Sequence, residues 1–80
     1  MPYYGKFRGV VVNAADPMSK GRLQVSVPAV MGGAAAWATA CVPYPTGGAR
    51  FGVPPVGSSV WVEFEAGNVD HPIWSGWIPG

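Results

Sequence analysis

The chain has 80 residues, which is room for one small domain. Charged residues make up only 11% of it and the net charge is +1, so it lacks the strongly basic character of a typical nucleic-acid-binding protein. Gly, Pro and polar residues interrupt every apolar stretch before the roughly 18 residues that cross a bilayer, and the N-terminal residues lack the apolar region of a signal peptide. We therefore expect no stable membrane insertion.

Twelve Gly and nine Pro divide the chain into short runs in which apolar and polar residues alternate, a pattern typical of antiparallel β structure. In chain order, the predicted strands cover about 4–13, 22–28, 36–42, 58–65 and 72–78. Gly5 and Gly9 lie inside the first run and predict a bulge or a sharp bend there. Asp16-Pro17 predicts the turn that follows. Residues 29–36 are small and have room for at most one helical turn.

Five short strands, a bent first strand and a long connection between the third and fourth strands favour the OB-fold. We predict an all-β fold in which residues 1–80 form a single domain, a small five-stranded antiparallel OB-fold barrel. An SH3-like barrel is the structural alternative. The long connection, 43–57, carries Tyr44, Phe51, Val53 and Val56, so we expect it to be ordered.

The sequence offers no arrangement typical of a catalytic site. His71 is the only histidine, and no serine or cysteine has the sequence context of a nucleophile. Glu63 and Glu65 are two apart on a strand, with Cα atoms roughly 7 Å apart, which overlaps the spacing of glycosidase carboxylates. Such pairs normally come from different elements across a cleft. We expect no enzymatic activity, no cofactor and no small-molecule substrate.

Metal binding within one chain is not predicted either, since one His and one Cys cannot supply the three or four ligands that a metal site needs. Symmetry could bring three copies of His71 together on an axis, and that possibility stays open. We expect Cys41, the only cysteine, to be a small buried side chain in the third strand.

The aromatic content predicts assembly. Four Trp and three Tyr are more than a barrel of this length can enclose, and monomers seldom leave large apolar patches open. On the fourth strand Trp61 and Glu63 alternate with Val60, Val62 and Phe64, so Trp61 is expected to point outward. The predicted protein interface consists of Trp61, Glu63, Glu65, Trp74, Trp77 and Tyr44. The alternative is that Trp61 lies beneath segment 43–56 of its own chain.

Two long segments carry a family resemblance. YYGKFRGVVVNAADPMSKGRLQVSVP resembles a pattern of a G-V-V strand, a D-P turn, G-R and a V-x-V-P strand. WATACVPYPTGGARFGVPPVGSSVWVEFEAGNVDHPIWSGW is similar to the second half of the same pattern. The family is the OB-fold domain at the base of the central spike of contractile injection machines. It includes phage baseplate spike proteins, baseplate assembly protein V and the valine-glycine-repeat spike proteins of type VI secretion.

The positions that match the family pattern are mainly turn and core residues, so they indicate a shared fold and do not identify a functional site. In the first half they are Gly9, Asp16, Pro17, Gly21, Arg22 and Pro28. In the second half they are Trp37, Pro55, Gly57, Val60, Phe64, Gly67, Pro72 and Gly76. Ser58 and Ser59 depart from the pattern, because family members often carry an acidic pair there.

The resemblance implies a structural protein of the virion, in the phage tail baseplate, made in the host cytoplasm. It implies a homotrimeric ring that docks on the tail-tube hub protein and connects it to the central spike. The 80 residues contain no β-helix, so we expect either a separate spike-tip protein or a stand-alone ring component. A bacterial injection device remains open. The alternative function is a single-stranded nucleic-acid-binding OB-fold module that uses Lys6, Arg8, Arg22 and Arg50.

Overall fold

The structure is a computed structural model that describes residues 2–18, 20–43 and 52–79. Over these residues it contains β1 (Phe7–Asn13), β2 (Leu23–Ser26), a helical turn α1 (Pro28–Met31), β3 (Ala35–Ala40), β4 (Ser59–Phe64), a 3-10 turn (Glu65–Gly67) and β5 (Pro72–Ile78). Every predicted strand is present, with ends within three residues of those expected. The single helical turn also agrees with the prediction.

The strands close into a barrel in the order β1-β2-β3-β5-β4, with β4 pairing back onto β1. Four of these pairs are antiparallel, and β3 and β5 run parallel. The prediction of an all-β, five-stranded OB-fold barrel is therefore confirmed, and the parallel pair corrects the purely antiparallel description. β3 and β5 run in the same direction, so the chain that leaves the end of β3 must return to the opposite end of the barrel before β5 begins. The connection between them includes β4, which is antiparallel to β5.

Alternation along the strands places the core inside the barrel. Its buried side chains are Val11, Leu23, Val25, Val27, Ala38, Val60, Val62, Phe64 and Trp74. Gly9 permits the close packing of β1 against this core, since a Cβ on it would lie 2.8 Å from Cγ2 of Val62 and 3.3 Å from the carbonyl oxygen of Ser26. Gly9 itself pairs regularly with Val60, and Gly5 precedes β1, so the irregularity predicted at these glycines is not found at either of them. A register shift follows further along β1, between Val11 and Asn13.

The lower end of the barrel, where β1 begins and β4 ends, is closed by aromatic side chains. The rings of Tyr3, Phe7 and Phe64 pack together with centroids 5.6–6.3 Å apart. The amide of Tyr3 donates a 2.9 Å hydrogen bond to the carbonyl of Gly67, so the N-terminal segment is held against the 3-10 turn. Gly67 has a φ of +77°, and a Cβ on it would lie 3.0 Å from the ring of Tyr4, so this position requires glycine.

The upper end of the barrel, where β1 ends and β4 begins, is held by an ion pair. Nη2 of Arg22 donates a 2.8 Å hydrogen bond to Oδ1 of Asp16, and its Nε contacts both carboxylate oxygens at 3.2 Å. The same carboxylate accepts hydrogen bonds from the backbone amides of Met18, Lys20 and Arg22. These bonds tie together the turn between β1 and β2. The hydrogen bonds of Asp16 explain why Asp16 and Arg22 stabilise the fold instead of forming a binding site.

The outcome for Cys41 differs from the prediction. It lies just after β3 and its side chain is exposed, although its amide donates a 2.9 Å hydrogen bond to the carbonyl of Trp74. On β3 the buried position is Ala38, while Trp37 and Thr39 face outward, and Cys41 continues that outward set. None of the helices in the described ranges is of a length and apolarity that would let it cross a membrane.

Candidate functional site

The outer face of β4 carries Trp61, which is half-buried and stands between two strands. Across β1 its partner is Arg8, and across β5 its partner is Gly76. The guanidinium carbon of Arg8 lies 4.9 Å from the centroid of the Trp61 ring, a cation–π contact. On the other side Gly76 offers no side chain, and a Cβ built there would meet no atom within 4 Å. Arg8 therefore lies over the face of the indole, and the position above Gly76 on the neighbouring strand is free of other atoms.

The two glutamates of the predicted interface lie on different parts of the barrel. Glu63 is half-buried on the outer face of β4, opposite Ile73 of β5. Glu65 is exposed and begins the 3-10 turn at the lower end, where its amide donates a 2.9 Å hydrogen bond to the carbonyl of His71. Trp61 and Glu63 thus share one strand face, and Glu65 stands at the edge of it.

Trp74, which the sequence places in the predicted interface, is buried within its own chain. It is only 3% exposed and packs in the core opposite Val62. Its indole Nε1 donates a 3.0 Å hydrogen bond to the carbonyl of Gly21, so the ring joins β5 to the start of β2. A buried indole needs a partner for its N–H, and here the main chain supplies it. Tyr44, the remaining aromatic of the prediction, lies outside the described residues.

Trp77 is exposed near the end of β5, a strand that carries an extra residue relative to β4. The register between β4 and β5 shifts between Trp61 and Val62, so that Ser75 has no partner on β4. Beyond this bulge Trp77 is paired with Val60, whose side chain is buried inside the barrel. Trp77 lies at the upper end of the barrel, however, and its side chain is 59% exposed. Alternation counted from the buried Trp74 places Trp77 outside, whereas its pairing with the buried Val60 does not predict its exposure.

Two pockets meet at Trp77. One has a volume of about 510 Å³ and is almost wholly apolar, with Val42, Val53, Pro54 and Trp74 among its lining residues. The other has a volume of about 380 Å³ and is lined by Arg8, Gly57, Ser58, Ser59, Trp77, Ile78 and Pro79. We call the second one the Arg8 pocket. The upper end of the barrel therefore presents an apolar hollow and a polar one side by side.

Sequence reasoning missed several exposed valines near these pockets. Val10 and Val12, on the outer face of β1, are 39% and 43% exposed, and Val56 is 62% exposed. The turn that contains Val56 is fixed to β1 by a 2.8 Å hydrogen bond from the amide of Gly57 to the carbonyl of Val11. The alternation of FRGVVVN could have identified Val10 and Val12 as outward, once Gly9 and Val11 were assigned to the core.

Two of the four cations named for nucleic-acid binding, Arg8 and Arg22, lie on separate parts of the barrel, and Arg50 lies outside the described residues. Arg8 lies over Trp61 on β4, whereas Arg22 lies over Trp37 on β3, and these two strands do not pair. Arg22 is also engaged by Asp16, and the resulting hydrogen bonds hold the pKa of the Asp16 carboxyl well below its ordinary value of 3.8. This arrangement offers little for a single strand of nucleic acid, whose backbone is followed by a positive groove.

The remaining titratable groups are scattered. His71 is exposed in the turn before β5, where its amide donates a 3.0 Å hydrogen bond to the carbonyl of Asn68. Over the ranges 2–18, 20–43 and 52–79, no three His, Cys, Asp or Glu side chains come together as metal ligands. Whether copies of His71 meet on a symmetry axis stays a prediction.

Comparison with known proteins gives one finding. A family model described as the type VI secretion system and phage-baseplate injector OB domain matches residues 7–78, from the first residue of β1 to the last residue of β5. No curated protein matches the chain.

Proposed function

Because this chain belongs to the family of type VI secretion and phage-baseplate injector OB domains, we propose that it is a structural part of a tail baseplate. In this proposal three copies form a ring in the hub or central spike of a phage tail, or of a related contractile injection device. The ring connects the tail-tube hub protein to the spike-tip protein. The role is mechanical and involves no catalysis.

The outer face of β4 and its surroundings support the proposal of assembly. Trp61 is half-buried beneath the guanidinium of Arg8, and its neighbour on β5, Gly76, has open space where a side chain would stand. Trp77 and Val56 are more than half exposed. Tryptophans of this kind are frequent anchors of protein interfaces. The observation that carries the proposal, together with the family match, is the set of exposed apolar side chains on β1 (Val10 and Val12), on β5 (Trp77) and in the turn before β4 (Val56), beside the half-buried Trp61 of β4.

A closed barrel suits a component that transmits load. Open sheet edges can pair with other chains, and closure removes them. The lower end is sealed by the cluster of Tyr3, Phe7 and Phe64, and the upper turn is tied by Asp16 and Arg22. A unit of this kind can be repeated around an axis so that each copy buries the apolar face of its neighbour. In the proposed assembly the interface uses Trp61, Glu63, Glu65, Trp77 and Tyr44.

Native mass measurement tests the proposal directly. We expect the purified protein to contain three copies of the 8.3 kDa chain. If it is monomeric alone, we expect three copies in its complex with the hub partner. Trp61→Ala should dissociate the ring and leave a folded monomer, because loss of an interface tryptophan typically costs about 2 kcal/mol or more. Met18→Ala is the matched control, since Met18 is 56% exposed but lies in the turn between β1 and β2.

Two outcomes would contradict the proposal. The first is a folded wild-type protein that stays monomeric with and without the hub partner. The second is a monomer that retains single-stranded DNA with an affinity that falls steeply with salt, which would favour the nucleic-acid-binding module instead. Unfolding of Trp61→Ala by circular dichroism would mean that the tryptophan serves the fold of its own chain, as in the alternative that sets it beneath segment 43–56.

A further inference from the structure

The Arg8 pocket combines one cation with hydroxyl groups and apolar walls. Arg8 enters it from β1, Ser58 and Ser59 from the start of β4, and Trp77 and Ile78 from the end of β5. These three strands are neighbours in the barrel, and Val10, Ser59 and Ile78 lie side by side across it. The pocket is therefore built on paired strands, which hold its polar groups in fixed relative positions.

The charge of Arg8 has no compensating carboxylate in this pocket. None of the seven lining residues is acidic, and among the described residues the one ion pair is that of Asp16 with Arg22. Within the same described ranges, the hydroxyls of Ser58 and Ser59 make no hydrogen bond to another protein group. The contact with Trp61 orients the guanidinium, and an arginine that is stacked on a ring keeps its N–H groups free for hydrogen bonds in the plane.

From this arrangement we propose that the Arg8 pocket binds a carboxylate group, carried by an acidic side chain of a partner protein. A planar guanidinium matches a carboxylate with two parallel hydrogen bonds. The serine hydroxyls are further donors, and the walls of Trp77 and Ile78 suit the methylene groups that precede a carboxylate in Asp or Glu. One cation balances one negative charge, which favours a carboxylate over a phosphate dianion.

This inference deepens the proposed function, and it rests on that function only for the identity of the carrier as a tail protein. The chemistry of the pocket is a property of the single chain. Carboxylate binding can therefore be measured without any partner. Trp77 belongs both to the proposed ring interface and to the pocket wall, so the two proposals are separated by their measurements: the mass of the protein tests the ring, and acetate binding through Arg8 tests the pocket.

The experiment is a titration of the full chain with sodium acetate at constant ionic strength, with chloride as the balancing anion. Two-dimensional NMR follows the Nε–H signals of the arginines and the indole N–H signals of the tryptophans. We expect saturable shifts of Arg8, Trp61 and Trp77. Arg8→Gln should weaken acetate binding at least about tenfold, since hydrogen bonds to charged groups are among the strong ones. Lys6→Gln, which removes an exposed cation outside the pocket, should bind acetate as the wild type does.

Three results would overturn the proposal. One is the absence of saturable shifts. Another is equal acetate binding by wild type and Arg8→Gln. The third is tighter binding of inorganic phosphate or of a short oligothymidine than of acetate, which would identify a phosphate site.

The oligomeric state separates this proposal from the previous one. A monomer that binds acetate through Arg8 would contradict the ring and support the pocket. A trimer whose acetate binding is unchanged in Arg8→Gln would support the ring and contradict the pocket.

Discussion

Two arginines lie over two tryptophans on this barrel, and their surroundings differ. Arg22 lies 5.3 Å from the Trp37 ring centroid, and its guanidinium is bound by Asp16, whose side chain is only 4% exposed. Arg8 lies 4.9 Å from the Trp61 centroid and is not paired with any carboxylate of the described residues. The first pair is completed within the chain. The pair of Arg8 and Trp61 leaves the positive charge of Arg8, within the described residues, unpaired at the surface, next to Ser58 and Ser59 of the Arg8 pocket.

The difference shows how one motif serves two purposes. The Arg22 pair closes the turn between β1 and β2, where a single carboxylate accepts hydrogen bonds from three backbone amides and the guanidinium. The Arg8 pair closes no turn and joins two strands that the barrel already pairs. We therefore expect substitutions at the first pair to affect folding and substitutions at the second to affect assembly.

Asp16→Asn should cause a larger fall in stability than substitutions at Gly9 or Arg8. The variant keeps one oxygen acceptor but loses the charge and the two-point contact with Arg22, in a place where Asp16 is almost shielded from water. The midpoint of urea unfolding should fall clearly. Glu63→Gln removes the same charge from the outer face of β4 and should leave the midpoint nearly unchanged. Equal effects of the two substitutions would contradict the structural role of Asp16.

The same carboxyl predicts the response to acid. Its hydrogen bonds with Arg22 lower the pKa of Asp16 in the folded state below its ordinary value of 3.8. Below that value the unfolded chain binds the proton more readily than the folded chain does. This contribution to stability is therefore complete above the ordinary pKa and is lost as the pH falls through the lower, folded pKa. Thermal unfolding measured against pH should show a shallower acid slope for Asp16→Asn than for the wild type.

Two strand glycines give the next effect and sharpen the contrast between inside and outside. Gly9→Ala would place a Cβ 2.8 Å from Val62 in the core, and overpacking of this kind typically costs about 1–3 kcal/mol. Gly76→Ala adds a Cβ to open space beside Trp61 and should leave the free energy of unfolding unchanged or slightly raised. Urea unfolding measures both. Destabilisation by Gly76→Ala as large as that by Gly9→Ala would show that the Trp61 edge is already packed.

The sequence is enough to predict the strands and the barrel, because Gly and Pro divide the chain and alternation assigns each face. Alternation predicts Val60, Val62 and Phe64 on one side of β4 and Trp61 on the other, and the structure agrees. Two kinds of information are not in the pattern. The bulge at Ser75 shifts the phase of β5, and the register that brings Arg8 beside Trp61 is a property of strand pairing.

Individual aromatics show the same limit. Composition predicts Trp74 at the interface because four tryptophans are too many for a small core, yet one of them fits inside when a main-chain carbonyl accepts its indole N–H. Composition predicts how many large side chains remain outside, and only the register decides which ones do. The prediction for Cys41 is wrong for a related reason, since β3 ends one residue before it and its side chain follows the outward positions of Trp37 and Thr39.

The smallest effect is expected from Arg8 and Trp61 themselves, within a single chain. A double-mutant cycle of Arg8→Gln and Trp61→Phe, measured by urea unfolding of monomeric protein, should give a coupling energy of about 0.5–1 kcal/mol, as for other exposed cation–π contacts. The corresponding cycle of Arg22→Gln and Trp37→Phe is the comparison, and its single substitution at Arg22 should be the more damaging, because it leaves the Asp16 carboxylate without its cation. If Arg8→Gln destabilised the monomer as much as Arg22→Gln does, both pairs would be parts of the fold, and the outer face formed by β1 and β4 would have no arginine to offer a partner.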